Sequence, residues 1–106
     1  MNRKSIPFRP DMAVALLEGR KTMTTRTEKY DLGEYPAWSK GLGTFATIRV
    51  TDAVATNWLA VTTDHFREEG FSSPEAMDAW CKANGLGHYA RRSTLYRHTF
   101  EVVKVG

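Results

Sequence analysis

The most regular alternation of apolar and polar residues runs from Thr44 to Thr51, and its period of two predicts a β-strand. The positions of this strand that are expected to face the core are Ala46, Ile48 and Val50. A second alternating stretch, Leu95 to Val103, predicts the last strand of the chain. One face of that strand carries Tyr96, His98, Phe100 and Val102. The chain is therefore expected to contain a β-sheet.

The N-terminal region predicts an edge strand followed by a helix. Ser5–Phe8 is short, apolar and contains a proline, which is typical of an edge strand. A helix is expected over residues 10–18, because Pro10 fits the first helical position and Gly19 is a natural C-terminal stop. The apolar residues at helical spacing within it are Met12, Ala15 and Leu16.

A strand expected over residues 22–26 places its side chains alternately on two faces. One face carries Thr22, Thr24 and Arg26, and the other carries Met23 and Thr25. Lys21 lies in the turn before this strand, so the alternation assigns no direction to its side chain. After a polar loop, residues 34–38 predict another strand, and a glycine-containing turn over residues 39–43 connects it to the strand at Thr44.

Two short helices are expected between the two alternating stretches. Thr62 or Thr63 can cap the first helix, which is expected to continue through residue 69 and to end at Gly70. Ser73 can cap the second helix, with Pro74 at its first position and its end near residue 84. Residues 85–93 are expected to form a loop.

The predicted order of elements is strand, helix, several strands, two short helices and a final strand. This order indicates an α+β domain, built as a small, partly closed β-barrel with helices packed on one side. A chain of 106 residues is long enough for one modest core, so a single domain over residues 1–106 is expected. A monomer is expected for a chain this small and polar.

Composition excludes several classes of protein. The sequence contains no apolar run long enough to cross a bilayer, and its basic start lacks the apolar middle of a signal peptide, so we expect a cytoplasmic protein without a membrane partner. The single cysteine, Cys81, is expected in the core. Zinc-dependent base deamination is excluded, because the sequence lacks the His-x-Glu and Cys-x-x-Cys pairs that such enzymes need. The three histidines are far apart in sequence, so no metal site and no cofactor are expected, and His98 is expected to be a buried structural residue.

The densest set of reactive groups lies in the eight residues from Gly19 to Arg26. The groups that remain for catalysis are the Thr24 hydroxyl, the Lys21 amine and the Glu68–Glu69 carboxylates. A threonine hydroxyl needs a neighbouring base, and lysine can serve only if burial or nearby cations lower its pKa. Whether Lys21 acts as the base or only orients Thr24 stays open. The basic pair at residues 20–21 could equally be solvated charges at the helix end.

Four segments of the sequence resemble ASCH-domain proteins: Ile6–Met12, Leu16–Arg26, Phe66–Phe71 and Tyr96–Phe100. The most specific is the Gly-Arg-Lys-Thr-x-Thr-x-Arg stretch at residues 19–26, which is most similar to the small bacterial N(4)-acetylcytidine amidohydrolases. The resemblance implies a PUA-like α+β fold, a small mixed β-barrel with short helices packed around it.

The same resemblance implies a metal-independent hydrolase without a cofactor, which removes the acyl group from N(4)-acylated cytosine nucleosides and converts N(4)-acetylcytidine to cytidine and acetate. The family's catalytic residues fall on Lys21, Thr24 and Glu69, with Glu68 as the alternative if the register differs by one. The residues expected to contact the substrate are Arg20, Thr22 and Arg26.

An interpretation from another class is an RNA-binding or RNA-cleaving ASCH module, because PUA-like barrels often bind RNA and several arginines could line a backbone groove. The modest net charge of +3 counts against it, as does the lack of a basic stretch interleaved with aromatic residues. The expected partner is therefore a small modified nucleoside, with RNA as the alternative.

Overall fold

The computed structural model describes residues 4–106, so the first three residues of the basic start lie outside the described part. Its strands are β1 (Ile6–Pro7), β2 (Met23–Arg26), β3 (Gly33–Ser39), β4 (Gly43–Thr56) and β5 (Leu95–Val105). Its helices are α1 (Pro10–Leu17), α2 (Trp58–Asp64) and α3 (Pro74–Ala83), followed by a short 3₁₀ helix, Gly87–Arg91. Within residues 4–106, no helix is long and apolar enough to span a membrane.

The five strands form one curled, half-barrel sheet in the order β1-β3-β4-β5-β2. The sheet is mixed, because β1 runs parallel to β3 while the other neighbours are antiparallel. The pairing of β4 with β5 shifts register at Thr47/Ile48 and again at Val50/Asp52. Such irregularities increase local twist and bend a strand, which helps the sheet to curl. The predicted α+β architecture, a small mixed sheet curled into a partial barrel with helices packed around it, is confirmed.

Two clusters of buried apolar side chains hold the helices to the sheet. The larger cluster joins α1 to β1, β3 and β4, and the smaller one joins α2 and α3 to the start of β5. Phe71 and Trp80 pack against both clusters. The buried side chains of Lys21 and Glu69 lie in the region between the clusters.

The strongest sequence patterns correspond to observed elements. Three alternate residues of β4, Ala46, Ile48 and Val50, are buried as predicted. The Ser73 hydroxyl caps α3 by accepting a hydrogen bond from the Ala76 N–H at 3.0 Å. Cap bonds of this kind typically stabilise a helix by about 1 kcal/mol.

The first of the two central helices was predicted wrongly. α2 begins at Trp58 rather than after Thr62 or Thr63, because the Asn57 side chain accepts the Ala60 N–H at 2.9 Å and provides the cap. Thr62 lies inside the helix, where its hydroxyl donates to the Trp58 carbonyl at 2.9 Å. The helix ends at Asp64, and residues 65–70 form turns that carry residue 69 toward the sheet.

The C-terminal predictions also need correction. The expected loop over residues 85–93 contains the 3₁₀ helix Gly87–Arg91. Strand β5 is buried at His98 and Phe100, but Val102 is 40% exposed. The strand continues past the core to Val105, so the predicted face is only partly covered.

Candidate active site

A cavity of about 500 Å³ lies between the two apolar clusters. Its size falls in the range of small-molecule sites. Six aromatic side chains contribute to its lining: Phe8, Trp38, Trp58, Phe71, Trp80 and Tyr89. Aromatic walls of this kind suit a planar ring, which gains both burial and offset stacking against them.

Lys21 reaches the cavity from the turn that follows α1 and is only 5% exposed. Gly19 has φ +81° and reverses the chain after the helix, and the Lys21 N–H then donates to the Ala15 carbonyl at 3.2 Å. Gly70, at φ +103°, packs closely behind: a Cβ there would lie 3.4 Å from the Lys21 Cβ. The positive-φ conformations of Gly19 and Gly70 thus help to position the buried lysine.

Glu69 is the carboxylate that faces Lys21. The Lys21 ammonium donates to the Glu69 backbone carbonyl at 2.9 Å and to its Oε1 at 3.3 Å. The other carboxylate oxygen, Oε2, accepts a hydrogen bond from the Thr25 hydroxyl at 2.7 Å. Both members of the ion pair are 5% exposed, so the pair is held in a dry environment with each charge partnered.

The neighbouring glutamate serves a different purpose. The Glu68 carbonyl accepts the Thr22 and Met23 N–H groups at 2.7 and 2.9 Å and so ties the turn to the start of β2. Its carboxylate is 41% exposed and lies 3.8 Å from His65 Nδ1. Of the two adjacent glutamates, Glu69 is the one whose side chain lines the cavity.

Thr24 and Arg26 lie on the same side of β2, as the alternation predicts. The Arg26 Nε donates to the Thr24 Oγ1 at 2.9 Å, and its Nη2 donates to the Pro7 carbonyl. Thr24 is 4% exposed. A guanidinium that donates to a hydroxyl oxygen favours negative charge on that oxygen.

His98 supports the backbone of Thr24 from the neighbouring strand. Its Nε2 accepts the Tyr30 N–H at 2.9 Å, so Nδ1 carries the proton and donates to the Thr24 carbonyl at 3.2 Å. Burial lowers the pKa of His98, with the Arg26 charge acting in the same direction. The histidine is neutral and fully buried, and its burial agrees with the prediction.

Burial is the dominant influence on the cationic groups of the site. Burial lowers the pKa of Lys21, and the Arg26 charge lowers it too, while Glu69 acts in the opposite direction. Burial also lowers the pKa of Arg26. Cys81, which lines the same cavity, has its pKa raised by burial to about 12, so it stays a thiol and is a poor nucleophile.

The structure brings together four of the six predicted site residues. Those that line the cavity are Lys21, Thr24, Arg26 and Glu69. Arg20 is exposed and pairs with Glu18 at 2.6 Å, and Thr22 is also exposed; neither lines the cavity. No group of three or more potential metal ligands occurs in the described part of the chain.

Sequence reasoning missed Thr25 and the aromatic walls. Alternation assigns Thr25 to the opposite face of β2 from Thr24, yet its hydroxyl holds Glu69 and it lines the same cavity. The tryptophans at residues 38, 58 and 80 belong to three separate elements, and no local pattern connects them. The only available signal was their number in so short a chain.

No protein-family model matches the sequence, and no curated protein matches it. Solved structures share its fold. Protein EF3133 from Enterococcus faecalis, of family model DUF984, superposes with a TM-score of 0.67 at 16% identity and covers 99% of this chain and 77% of its own. A tyrosine-to-phenylalanine mutant of ZmASCH from Zymomonas mobilis gives 0.66 at 12% identity, covering 94% and 70%.

A third structure, the ASCH domain from Lactobacillus crispatus, gives a TM-score of 0.63 at 17% identity and covers 89% of this chain and 71% of that one. Two of these three neighbours are named as ASCH proteins, and the chain shares their fold.

Proposed function

We propose that this protein is an amidohydrolase that removes the acyl group from N(4)-acylated cytosine nucleosides, converting N(4)-acetylcytidine to cytidine and acetate. The observation that carries the proposal is the convergence of a threonine hydroxyl, a lysine amine and a carboxylate on one aromatic cavity. A nucleophile, a base and a group that fixes the base are what acyl transfer requires. The cavity walls suit the planar base.

In the first step the Thr24 Oγ attacks the acyl carbon, and Lys21 accepts the hydroxyl proton. The base must be a neutral amine, and burial together with the Arg26 charge favours that form by lowering the pKa of Lys21. Arg26 donates to the attacking oxygen at 2.9 Å, which favours its partial negative charge. Glu69 keeps the amine in place through two acceptor oxygens.

In the second step the bond between the acyl carbon and N4 breaks, and the leaving amine takes the proton from Lys21. Cytidine departs, and the acyl group remains as an ester on Thr24. Water then attacks the ester carbon while Lys21 accepts a proton from it. The bond between the acyl carbon and the Thr24 Oγ breaks, and Lys21 returns the proton to that oxygen as the carboxylic acid is released. Because the amine is attached to an electron-poor ring, it leaves more readily than an alkyl amine.

The test is to incubate the purified protein with N(4)-acetylcytidine and to follow cytidine by chromatography. Wild type and the exposed control Lys104→Met should produce cytidine at the same rate, whereas Lys21→Met should lose at least about a hundredfold in rate. If wild type releases no cytidine from a panel of acyl groups, the proposal is wrong. Cleavage of an unmodified RNA under the same conditions would favour the RNA-cleaving alternative instead.

A further inference from the structure

The lining of the cavity contains more positive than negative charge. Four cationic side chains line it, Arg9, Lys21, Arg26 and Lys40, and they face one carboxylate, Glu69. Lys21 and Glu69 pair with each other. Tyr89 and Cys81 add no negative charge, because burial raises the pKa of both groups. The cavity therefore carries a surplus of cations once its internal ion pair is accounted for.

The surplus cations contact neutral groups. Arg26 donates to the Thr24 hydroxyl and the Pro7 carbonyl, and Arg9 donates through Nη2 to the Asn84 carbonyl at 2.8 Å. Across residues 4–106, none of Arg9, Arg26 and Lys40 forms a salt bridge with a carboxylate. The carbonyl contact fixes the Arg9 guanidinium, and its other N–H donors have no hydrogen-bond partner among the described residues. Such a guanidinium is prepared to bind an anion.

Arg9 and Lys40 lie on neighbouring backbone segments at one end of the cavity. The parallel pairing of β1 with β3 places Pro7 opposite Trp38, and the Phe8 N–H donates to the Trp38 carbonyl at 2.8 Å. Each cation follows this pair by two residues, Arg9 after Pro7 and Lys40 after Trp38. Both are exposed, so their charged ends lie at the cavity mouth rather than among the apolar walls.

Hydrogen bonds and a short backbone segment connect the reactive groups to Arg9. Arg26, which contacts the Thr24 hydroxyl, also holds the Pro7 carbonyl. Two residues of extended chain from Pro7 to Arg9 span roughly 7 Å. The Asp11 carboxylate does not line the cavity, and it accepts hydrogen bonds from Trp80 Nε1 and the Met12 N–H.

We propose that the cavity takes its substrate as a nucleoside monophosphate, with the phosphate held by Arg9 and Lys40 at the mouth and the acylated base placed against Lys21 and Thr24. The inference rests on the proposed function for the reaction, but the phosphate site stands on its own geometry. A single nucleotide is favoured over a polynucleotide because these two cations line the same cavity as the aromatic walls, whereas a polynucleotide-binding surface carries a longer cationic track.

The experiment compares kcat/KM for N(4)-acetylcytidine and for its 5′-monophosphate. Wild type should prefer the monophosphate by about tenfold or more, mainly through a lower KM, since two charge-assisted contacts are gained. The ratio of the two kcat/KM values should fall toward one in Arg9→Gln and in Lys40→Gln, and should stay at the wild-type value in Lys104→Gln. Added salt should reduce the preference, because the contacts are exposed to solvent.

Failure of this inference is distinguishable from failure of the proposed function. Equal kcat/KM values for the two substrates in wild type would overturn the phosphate site and leave the amidohydrolase intact. Faster turnover of an N(4)-acetylcytidine inside a short RNA than of the monophosphate would overturn it in favour of a polynucleotide substrate. If neither small substrate is hydrolysed, calorimetry with CMP and cytidine decides the phosphate site: tighter CMP binding that is lost in Arg9→Gln supports it, and equal binding overturns it.

Discussion

Replacing Glu69 with glutamine tests the buried ion pair that organises the site. The substitution keeps the size of the side chain but removes the charge that faces the Lys21 ammonium at 3.3 Å. Because both partners are 5% exposed, solvent screens the pair little. Removing one partner of such a pair typically costs about 3–5 kcal/mol. The ammonium keeps its 2.9 Å bond to the backbone carbonyl of residue 69, so we expect the lower end, about 3 kcal/mol.

The assay is urea-induced unfolding at neutral pH in a double-mutant cycle of Glu69→Gln and Lys21→Met. Each single variant leaves one unpaired buried charge, whereas the double variant leaves none, so the two losses should not add. We expect a coupling free energy of about 2 kcal/mol, within the range seen for directly contacting charges. A coupling below about 0.5 kcal/mol would refute the ion pair, because independent sites add to within that margin.

The same variant predicts a change in pH dependence. Burial lowers the pKa of Lys21 in the folded state, so the unfolded chain binds more protons between that pKa and 10.5. Stability contributed by this group therefore rises with pH across that window. Removing the Glu69 charge should lower the pKa of Lys21 further and extend the window to lower pH, which NMR of isotopically labelled lysine can follow. An unchanged pKa of Lys21 would contradict this part of the reasoning.

Three further predictions concern the groups around this pair. Thr25→Val removes the 2.7 Å hydrogen bond to Glu69 and should therefore lower kcat by about tenfold and shift the pH profile of kcat. Thr25→Ser should restore both the rate and the profile. An unchanged pH profile in Thr25→Val would show that Thr25 does not influence the Lys21–Glu69 pair. Gly70→Ala should lower the free energy of unfolding by about 1–2 kcal/mol in urea titrations, because the φ of Gly70 is +103°. Gly87→Ala is the matched control and should not show this loss, because its added Cβ would meet no atom within 4 Å. Burial lowers the pKa of His98 in the folded state, so the unfolded chain binds more protons than the folded chain between that pKa and about 6.5. The free energy of unfolding should therefore fall as the pH drops through this window. Urea titrations across pH should show that the fall disappears in His98→Gln.

The sequence predicted the elements whose patterns are local. The alternation in β4 and the positions of Pro10 and Gly19 at the two ends of α1 are patterns of residues close together in the chain. α1 was observed near its predicted bounds, whereas β4 begins near its predicted start but continues past Thr51 to Thr56. α2 starts at Trp58 because Asn57 caps the helix there and because Trp58, which is 8% exposed, packs against residues that are distant in the chain. Such tertiary contacts override a local capping signal such as Thr62.

The candidate site likewise contains residues that a local motif predicts and residues that only the tertiary structure brings together. Lys21, Thr24 and Arg26 occupy one short stretch, and a motif of that kind can be identified without a structure. The contribution of Thr25 could not be predicted, because it depends on the turn at residues 65–70 bringing a carboxylate against β2. The segments that carry Arg9 and Lys40 become neighbours through the parallel pairing of β1 with β3, whose paired residues lie about thirty positions apart in the chain.

The most direct test of the central claim is the rate of cytidine release from N(4)-acetylcytidine by wild type and by Thr24→Ala, with Thr24→Ser and the exposed Thr63→Ala measured alongside. The account predicts a loss of at least about a thousandfold for Thr24→Ala, partial activity for Thr24→Ser and the wild-type rate for Thr63→Ala. Turnover by a folded Thr24→Ala at a rate near that of wild type would contradict a threonine nucleophile in this cavity.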